Sequence, residues 1–200
     1  MNETLNESQT LIEIESFIED IVKRSRKPRN FYEKLTDLLI HFNKIYRGEF
    51  YYVPAIEAFI ELLLDIREYL DDYDYLYERL SKIKFEDIQQ DFKKYYRRHK
   101  RELRDHRYSE SNNTKNLVQR MKDVSDQYAR ILAVRVDLAY PLKSQDQVGI
   151  QEFSDDMDVL RKRIHDRDAF FDGLVEYAWA LEQGGDKGYH CHLLLVYKGS

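Results

Sequence analysis

One cysteine, three prolines and seven glycines in 200 residues set the first limits on this chain. A lone thiol, Cys191, excludes an internal disulfide framework and a multi-cysteine metal site, and it suits a reducing compartment. No apolar run approaches the roughly 18 residues that a membrane-spanning helix needs, so no membrane partner is expected. The opening Met1-Asn2-Glu3-Thr4-Leu5-Asn6-Glu7 is acidic and lacks the apolar centre of a signal peptide, which points to the cytoplasm. Positive charge is not in excess: 32 Lys and Arg against 37 Asp and Glu leave −5, so bulk charge gives no support to a nucleic-acid partner. Glycine is also unevenly spread. None falls between Gly48 and Gly149, a gap that argues for helices joined by short connections.

What is present is a globular mixture, 42% hydrophobic and 34% charged, long enough to bury a core. The first half reads as helical. Leu11, Ile14, Ile18, Ile21 and Val22 recur at spacings of three and four, and the run stops at Arg26-Lys27-Pro28. Leu35, Leu38, Leu39, Phe42, Ile45 and Tyr46 repeat the pattern up to Gly48. Pro54 suits the first turn of a third helix carrying Ile56 to Tyr69, predicted to end near Asp71-Asp72. A tyrosine-rich segment (Tyr73, Tyr75, Tyr77) leads to a helix over about 85–107. The polar stretch 108–114 marks the domain boundary, giving a helical module over 1–110 and a second domain over 111–200. That second domain opens on a helix with Leu117, Val118, Met121, Val124 and Tyr128 on one face.

At Arg130 the period changes. Leu132, Val134, Val136 and Leu138 alternate with positions that include Arg135 and Asp137, a strand that Tyr140-Pro141 ends. A helix over 150–170 follows, then strands over 174–182 and 189–197. The fold class is therefore α+β, with a strand-helix-strand-strand order in an antiparallel sheet.

The chemistry gathers at the last hairpin, in Glu182-Gln183-Gly184-Gly185-Asp186-Lys187-Gly188-Tyr189-His190-Cys191-His192. Strand side chains alternate faces, so His190 and His192 share one face and Cys191 the other. Matching the apolar rows Val175, Tyr177, Trp179, Leu181 and Cys191, Leu193, Leu195, Tyr197 fixes the hairpin parity, because a one-residue slip would turn an apolar row to water. That parity puts Glu182 on the face of His190 and His192 and leaves 183–189 as the loop. If the first strand neighbours the third, Arg135 and Asp137 join this face as well. The three ligands together suit a divalent metal; without them the pair is two exposed strand histidines and Asp137 with Arg135 an ordinary charge pair.

A second cluster is the basic run Lys93-Lys94-Tyr95-Tyr96-Arg97-Arg98-His99-Lys100-Arg101. Cations interleaved with aromatics can contact phosphates and stack bases, which makes Lys93, Lys94, Arg97, Arg98, Lys100 and Arg101 candidate DNA-binding residues. The plain alternative is a helix face paired with acidic neighbours, its tyrosines packed in the bundle.

Leu132-Ala133-Val134-Arg135-Val136-Asp137-Leu138, Trp179-Ala180-Leu181-Glu182 and Lys187-Gly188-Tyr189-His190-Cys191-His192-Leu193-Leu194-Leu195 resemble the YagK/YfjJ C-terminal domain family, over about 115–200. The resemblance implies an inovirus-type replication protein of phages and prophages, within the HUH endonucleases. It implies a ferredoxin-like sheet, here incomplete, and a rolling-circle initiator that nicks single-stranded or origin DNA through a 5′-phosphotyrosine link. Its metal would be Mg²⁺ or Mn²⁺ ahead of Zn²⁺, held by His190, His192 and Glu182. The nucleophilic tyrosine of such enzymes follows the His-x-His strand, so it is expected beyond Ser200, as is the fourth strand. The polypeptide is thus expected to be catalytically incomplete, with a sheet edge that can form a homodimer. The alternatives are a non-catalytic prophage DNA-binding or regulatory protein, or a helical protein-interaction module.

Overall fold

The computed structural model describes residues 6–185 and 187–199. It is α+β: helices dominate the first part, and a three-stranded antiparallel sheet closes the second. The chain divides into two compact units, the first running to Asp105 and the second starting at His106.

The first unit is built from α1 (Glu7–Lys23), α2 (Phe31–Ile45), α3 (Pro54–Asp65), α4 (Tyr73–Ser81) and the start of α5 (Phe85–Gln127). Local chemistry sets their ends. Asn6 accepts from Gln9 N at 2.9 Å at the head of α1, Pro54 opens α3, and Asp72 accepts from Tyr75 N at 3.0 Å to cap α4. The spaced apolar residues of each helix meet in one core, where Phe42, Phe59, Phe92, Leu35 and Leu39 are fully buried. The third helix stops at Asp65, earlier than the sequence pattern predicts; a 3₁₀ turn over Arg67–Tyr69 follows, and the tyrosine-rich segment forms α4.

The polar stretch 108–114 does not break the chain: α5 runs without interruption from Phe85 to Gln127. Serine, asparagine and threonine lower helix propensity by only about 0.5 kcal/mol each, and neither glycine nor proline interrupts the ladder. Thr114 Oγ1 donates back to the Glu110 carbonyl at 2.9 Å, satisfying its hydroxyl within the helix.

The second unit contains β1 (Ile131–Ala139), α6 (Ile150–His165), β2 (Leu174–Gly184) and β3 (Gly188–Lys198). Glu152 reaches back to accept from Gly149 N at 3.0 Å, fixing the start of α6. The helix ends at His165, and a 3₁₀ turn over Ala169–Phe171 leads into β2. The sheet order is β1-β3-β2, with β3 antiparallel to both neighbours. Phe153, Met157 and Ile164 of α6 pack on Cys191, Leu193 and Leu195 of β3, as the alternation requires. A bulge at the start of β2 turns Leu174, rather than Val175, into this core. One helix covers mainly the central strand, so the flanking side chains Tyr177, Leu181 and Leu132 stay exposed.

Candidate metal centre

The β2–β3 register pairs Glu182 with His190 and Ala180 with His192. The β1–β3 register pairs Asp137 with His192 and Arg135 with Leu194. Sheet alternation then sets Arg135, Asp137, Glu182, His190 and His192 on one face, opposite the α6 core. Pairing continues past Glu182 to Gln183–Tyr189 and Gly184–Gly188, so the loop is 185–187 and not the longer one that the sequence suggests. Gly188 adopts φ +60°, the left-handed geometry that a three-residue hairpin turn demands. Asp186, within the turn, lies outside the described residues.

Each histidine has one nitrogen tied off and one free to coordinate. His192 Nδ1 lies 2.6 Å from Asp137 Oδ1, and a carboxylate only accepts, so Nδ1 carries the proton. His190 Nδ1 lies 3.2 Å from the Gly188 carbonyl, which fixes the same tautomer. In the neutral rings both lone pairs therefore sit on Nε2. Each Nε2 is 3.5 Å from the same oxygen, Glu182 Oε2. That is longer than a good N–H···O bond. It is close to the roughly 3.0 to 3.4 Å that separates two ligand atoms about 2.1 Å from one ion. All three donor atoms lie within 4.8 Å of one another, and the rings stand at 87°.

The surroundings favour an open site. His190 is buried and His192 half-buried, whereas the Glu182 carboxylate stands at the rim with about half its surface exposed. Three protein ligands and an accessible rim leave coordination positions for water or substrate, as in catalytic rather than structural centres. Asp137 orients His192 from behind, the carboxylate–histidine arrangement that fixes a metal ligand. Its contact with His192, and next Arg135 Nε at 3.0 Å, hold its carboxyl below the usual aspartate range. Arg135 also approaches His192 Nδ1 at 3.3 Å, but two donors cannot bond one another, and the shorter Asp137 contact decides the proton. Cys191 points into the apolar core, where burial pushes its thiol up.

The basic run lies on α5 in the first unit, and its cations split into two sets. Arg98 pairs with Glu57, Lys100 lies 4.0 Å from Glu19, and Tyr96 donates to Glu19 at 2.7 Å. Tyr95 donates to Glu61, and buried His99 meets Glu15 at 2.8 Å. The cation–aromatic face thus turns largely toward acidic residues of α1 and α3. Lys93 binds Gln89 Oε1 at 2.7 Å. Lys94, Arg97 and Arg101 make no ion pair among the described residues, and all three are exposed.

The Gly188 carbonyl is one site feature that the residue pattern did not single out; a backbone oxygen leaves no letter in the sequence. The three-stranded sheet carries, on the face away from α6, a group of Glu182, His190 and His192 that could hold a metal ion. The family model described as YagK/YfjJ C-terminal domain matches residues 92–200, and the chain belongs to that family. The match starts within α5, so it takes in the basic run as well as the sheet. Neither a curated protein nor a solved structure matches the chain.

Proposed function

We propose that this chain carries the metal centre of an HUH-type DNA-nicking protein, a phage or prophage rolling-circle replication initiator acting on single-stranded or origin DNA in a bacterial cytoplasm. The observation that supports it best is the convergence of His190 Nε2 and His192 Nε2 on one Glu182 oxygen. The β1-β3-β2 order, with α6 crossing from β1 to β2, fits the first part of a ferredoxin-like sheet.

Two imidazoles, one carboxylate and open positions suit Mn²⁺ or Zn²⁺ by donor chemistry, and the reading as an HUH-type centre puts Mg²⁺ or Mn²⁺ first. A divalent ion bound there would polarise a scissile phosphate and offset the charge that develops on its oxygens. The residues supply the rest. Asp137 and the Gly188 carbonyl hold the two rings with Nε2 outward, and buried His190 with half-buried His192 forms the floor against which the phosphate settles. Lys94, Arg97 and Arg101, exposed and in no ion pair among the described residues, offer charge for sequence-independent backbone contact. The nucleophile in this reading is a tyrosine. Tyr197 is a poor one, since its hydroxyl donates to the Phe170 carbonyl at 2.8 Å. The outer edges of β1 and β2 offer a route to a homodimer.

The test is calorimetric titration of the chain with Mn²⁺, alone and with a single-stranded oligonucleotide. One ion per chain, lost on combined His190→Ala and His192→Ala substitution, and tighter DNA binding with the ion are expected. Absence of Mn²⁺ uptake by the native chain refutes the reading. A denaturing gel of the metal and DNA mixture adds the covalent arm: a protein–DNA adduct would establish nicking by this polypeptide.

A further inference from the structure

A second feature lies on the same sheet face as the metal centre. Leu117, Val118 and Met121 of α5 stand over Leu194 of β3, walling a groove of about 490 Å³ with Lys122 and Asp126 at its mouth. All of these residues belong to the second unit. The groove sits within the size range of small-ligand sites. Its apolar residues belong to neither hydrophobic core: Leu117, Met121 and Leu194 are half-buried, and Val118 is half exposed.

Position gives the groove its meaning. Leu194 follows His192 by two residues on β3, so its side chain is one pleat repeat, roughly 7 Å, along the same face. That is the reach of a single nucleotide from its phosphate to its base. On the β2 side the strand presents only small side chains, Ala178 opposite Leu194 and Ala180 opposite His192, so a flat ring can lie close to that part of the sheet; on the β1 side Arg135 and Asp137 stand opposite the same two residues. Arg135, opposite Leu194 on β1 and ion-paired with Asp137, and Lys122 on α5 place cationic groups beside a path for phosphates.

We infer that this groove is the base-binding subsite of the DNA strand at the metal centre: it takes the nucleobase next to the phosphate held at His190, His192 and Glu182. The inference rests on the proposed function and adds where the substrate lies. The base packs against Leu117, Val118 and Met121, with Lys122 and Asp126 placed to meet its polar edge. Apolar packing of one base carries no strong sequence preference by itself; the two charged residues would supply whatever preference there is.

The experiment uses the full chain with Mn²⁺ and a single-stranded oligonucleotide carrying one 5-iodouracil, moved position by position and crosslinked by light. Expected are crosslinks to Val118 or Met121 at one oligonucleotide position, dependent on Mn²⁺. Val118→Trp, which fills the groove from an exposed position, should weaken DNA binding at least about tenfold and leave Mn²⁺ affinity unchanged. Metal-dependent DNA binding with crosslinks elsewhere and full affinity in Val118→Trp overturns the subsite and leaves the metal-centre reading standing. No Mn²⁺-dependent DNA binding at all overturns both.

Discussion

Replacing Asp137 by Asn probes the centre without touching a ligand atom. In the native chain Asp137 Oδ1, 2.6 Å from His192 Nδ1, accepts its proton and so leaves the lone pair on Nε2, facing Glu182. Asparagine is nearly the same shape but can turn its NH₂ toward Nδ1. That stabilises the opposite tautomer, with a proton on the coordinating nitrogen. Loss of such an orienting partner costs about 10- to 100-fold in metal affinity, or about 1.4 to 2.7 kcal/mol. Because the Asp137 side chain is more than half exposed, water can replace part of its role, and the lower half of that range is expected. Calorimetry or Mn²⁺ electron paramagnetic resonance reads the dissociation constant directly, beside His192→Ala as the ligand-loss reference. If Asp137→Asn binds Mn²⁺ as tightly as the native chain while His192→Ala does not bind, the tautomer argument is wrong. If His192→Ala also binds normally, no metal centre exists at this hairpin.

Other substitutions separate the basic helix, the core and the titrating pairs. Arg97→Glu should weaken single-stranded DNA binding and flatten its salt dependence by at least about 0.7 in log–log slope, whereas Arg98→Ala should change stability by less than about 1 kcal/mol, its pair with Glu57 being exposed. Equal DNA effects from both would show that the ion-paired set is not held in the bundle. Phe92→Ala should cost about 3 to 5 kcal/mol in a urea melt, since Phe92 is fully buried with rings 6.4 Å from Phe17 and 6.3 Å from Phe59. The Glu19–Tyr96 pair should make stability fall at both extremes of pH. Hydrogen bonds from Lys23 and Tyr96 lower Glu19 from 4.5 to about 2, so its contribution is present above pH 4.5 and lost on acidification toward 2. Burial, then the bond to Glu19, raises Tyr96 from 10.0 to about 12, so its contribution is present below pH 10 and lost on the way to 12. Tyr96→Phe should shrink the alkaline arm in a pH series of thermal melts; an unchanged arm would count against the pairing.

The sheet was legible where residues alternate, and the helices where they recur at three and four. Cys191, Leu193 and Leu195 announce which way β3 faces, and from that alone Glu182 falls opposite His190. Asp137 depended on strand adjacency, which no local pattern states; β1 does lie beside β3 and brings Asp137 to His192. The hairpin loop is shorter than the residue pattern predicts because Gly184 and Gly188 have no side chain to show that they are paired. The continuity of α5 was hidden for a different reason. Serine and asparagine favour boundaries, yet an exposed helix tolerates several of them when nothing removes a backbone donor. The division of the basic run needed the bundle itself. Which cations meet Glu15, Glu19 and Glu57 depends on how α5 is rotated against α1 and α3, and those acids are some 40 to 85 residues away in sequence.

The parity that made the centre legible also explains what holds it in place. Slipping β3 by one residue would turn Cys191, Leu193 and Leu195 away from α6 and force His190 and His192 under it. Leu194 and Val196 would take up places left by Leu193 and Leu195, so the apolar exchange is nearly even there and the opposition to the slip falls on the histidines. Placing two imidazoles among Phe153, Met157 and Ile164 without partners carries that cost. The register is therefore set by what the face under α6 excludes, and the ligands on the other face are positioned as a consequence. His190→Ala and His192→Ala each leave the apolar row and the other histidine untouched, so both should fold with native register. A loss of metal or DNA binding in those variants then reports on the centre itself. Leu193→Asp attacks from the opposite side: it should abolish metal binding without altering a single ligand, by releasing the register that brings His190 and His192 to Glu182. Hydrogen exchange along β3 distinguishes the two, with native protection expected in the histidine variants and loss of protection in Leu193→Asp; protected β3 amides in Leu193→Asp would refute this account.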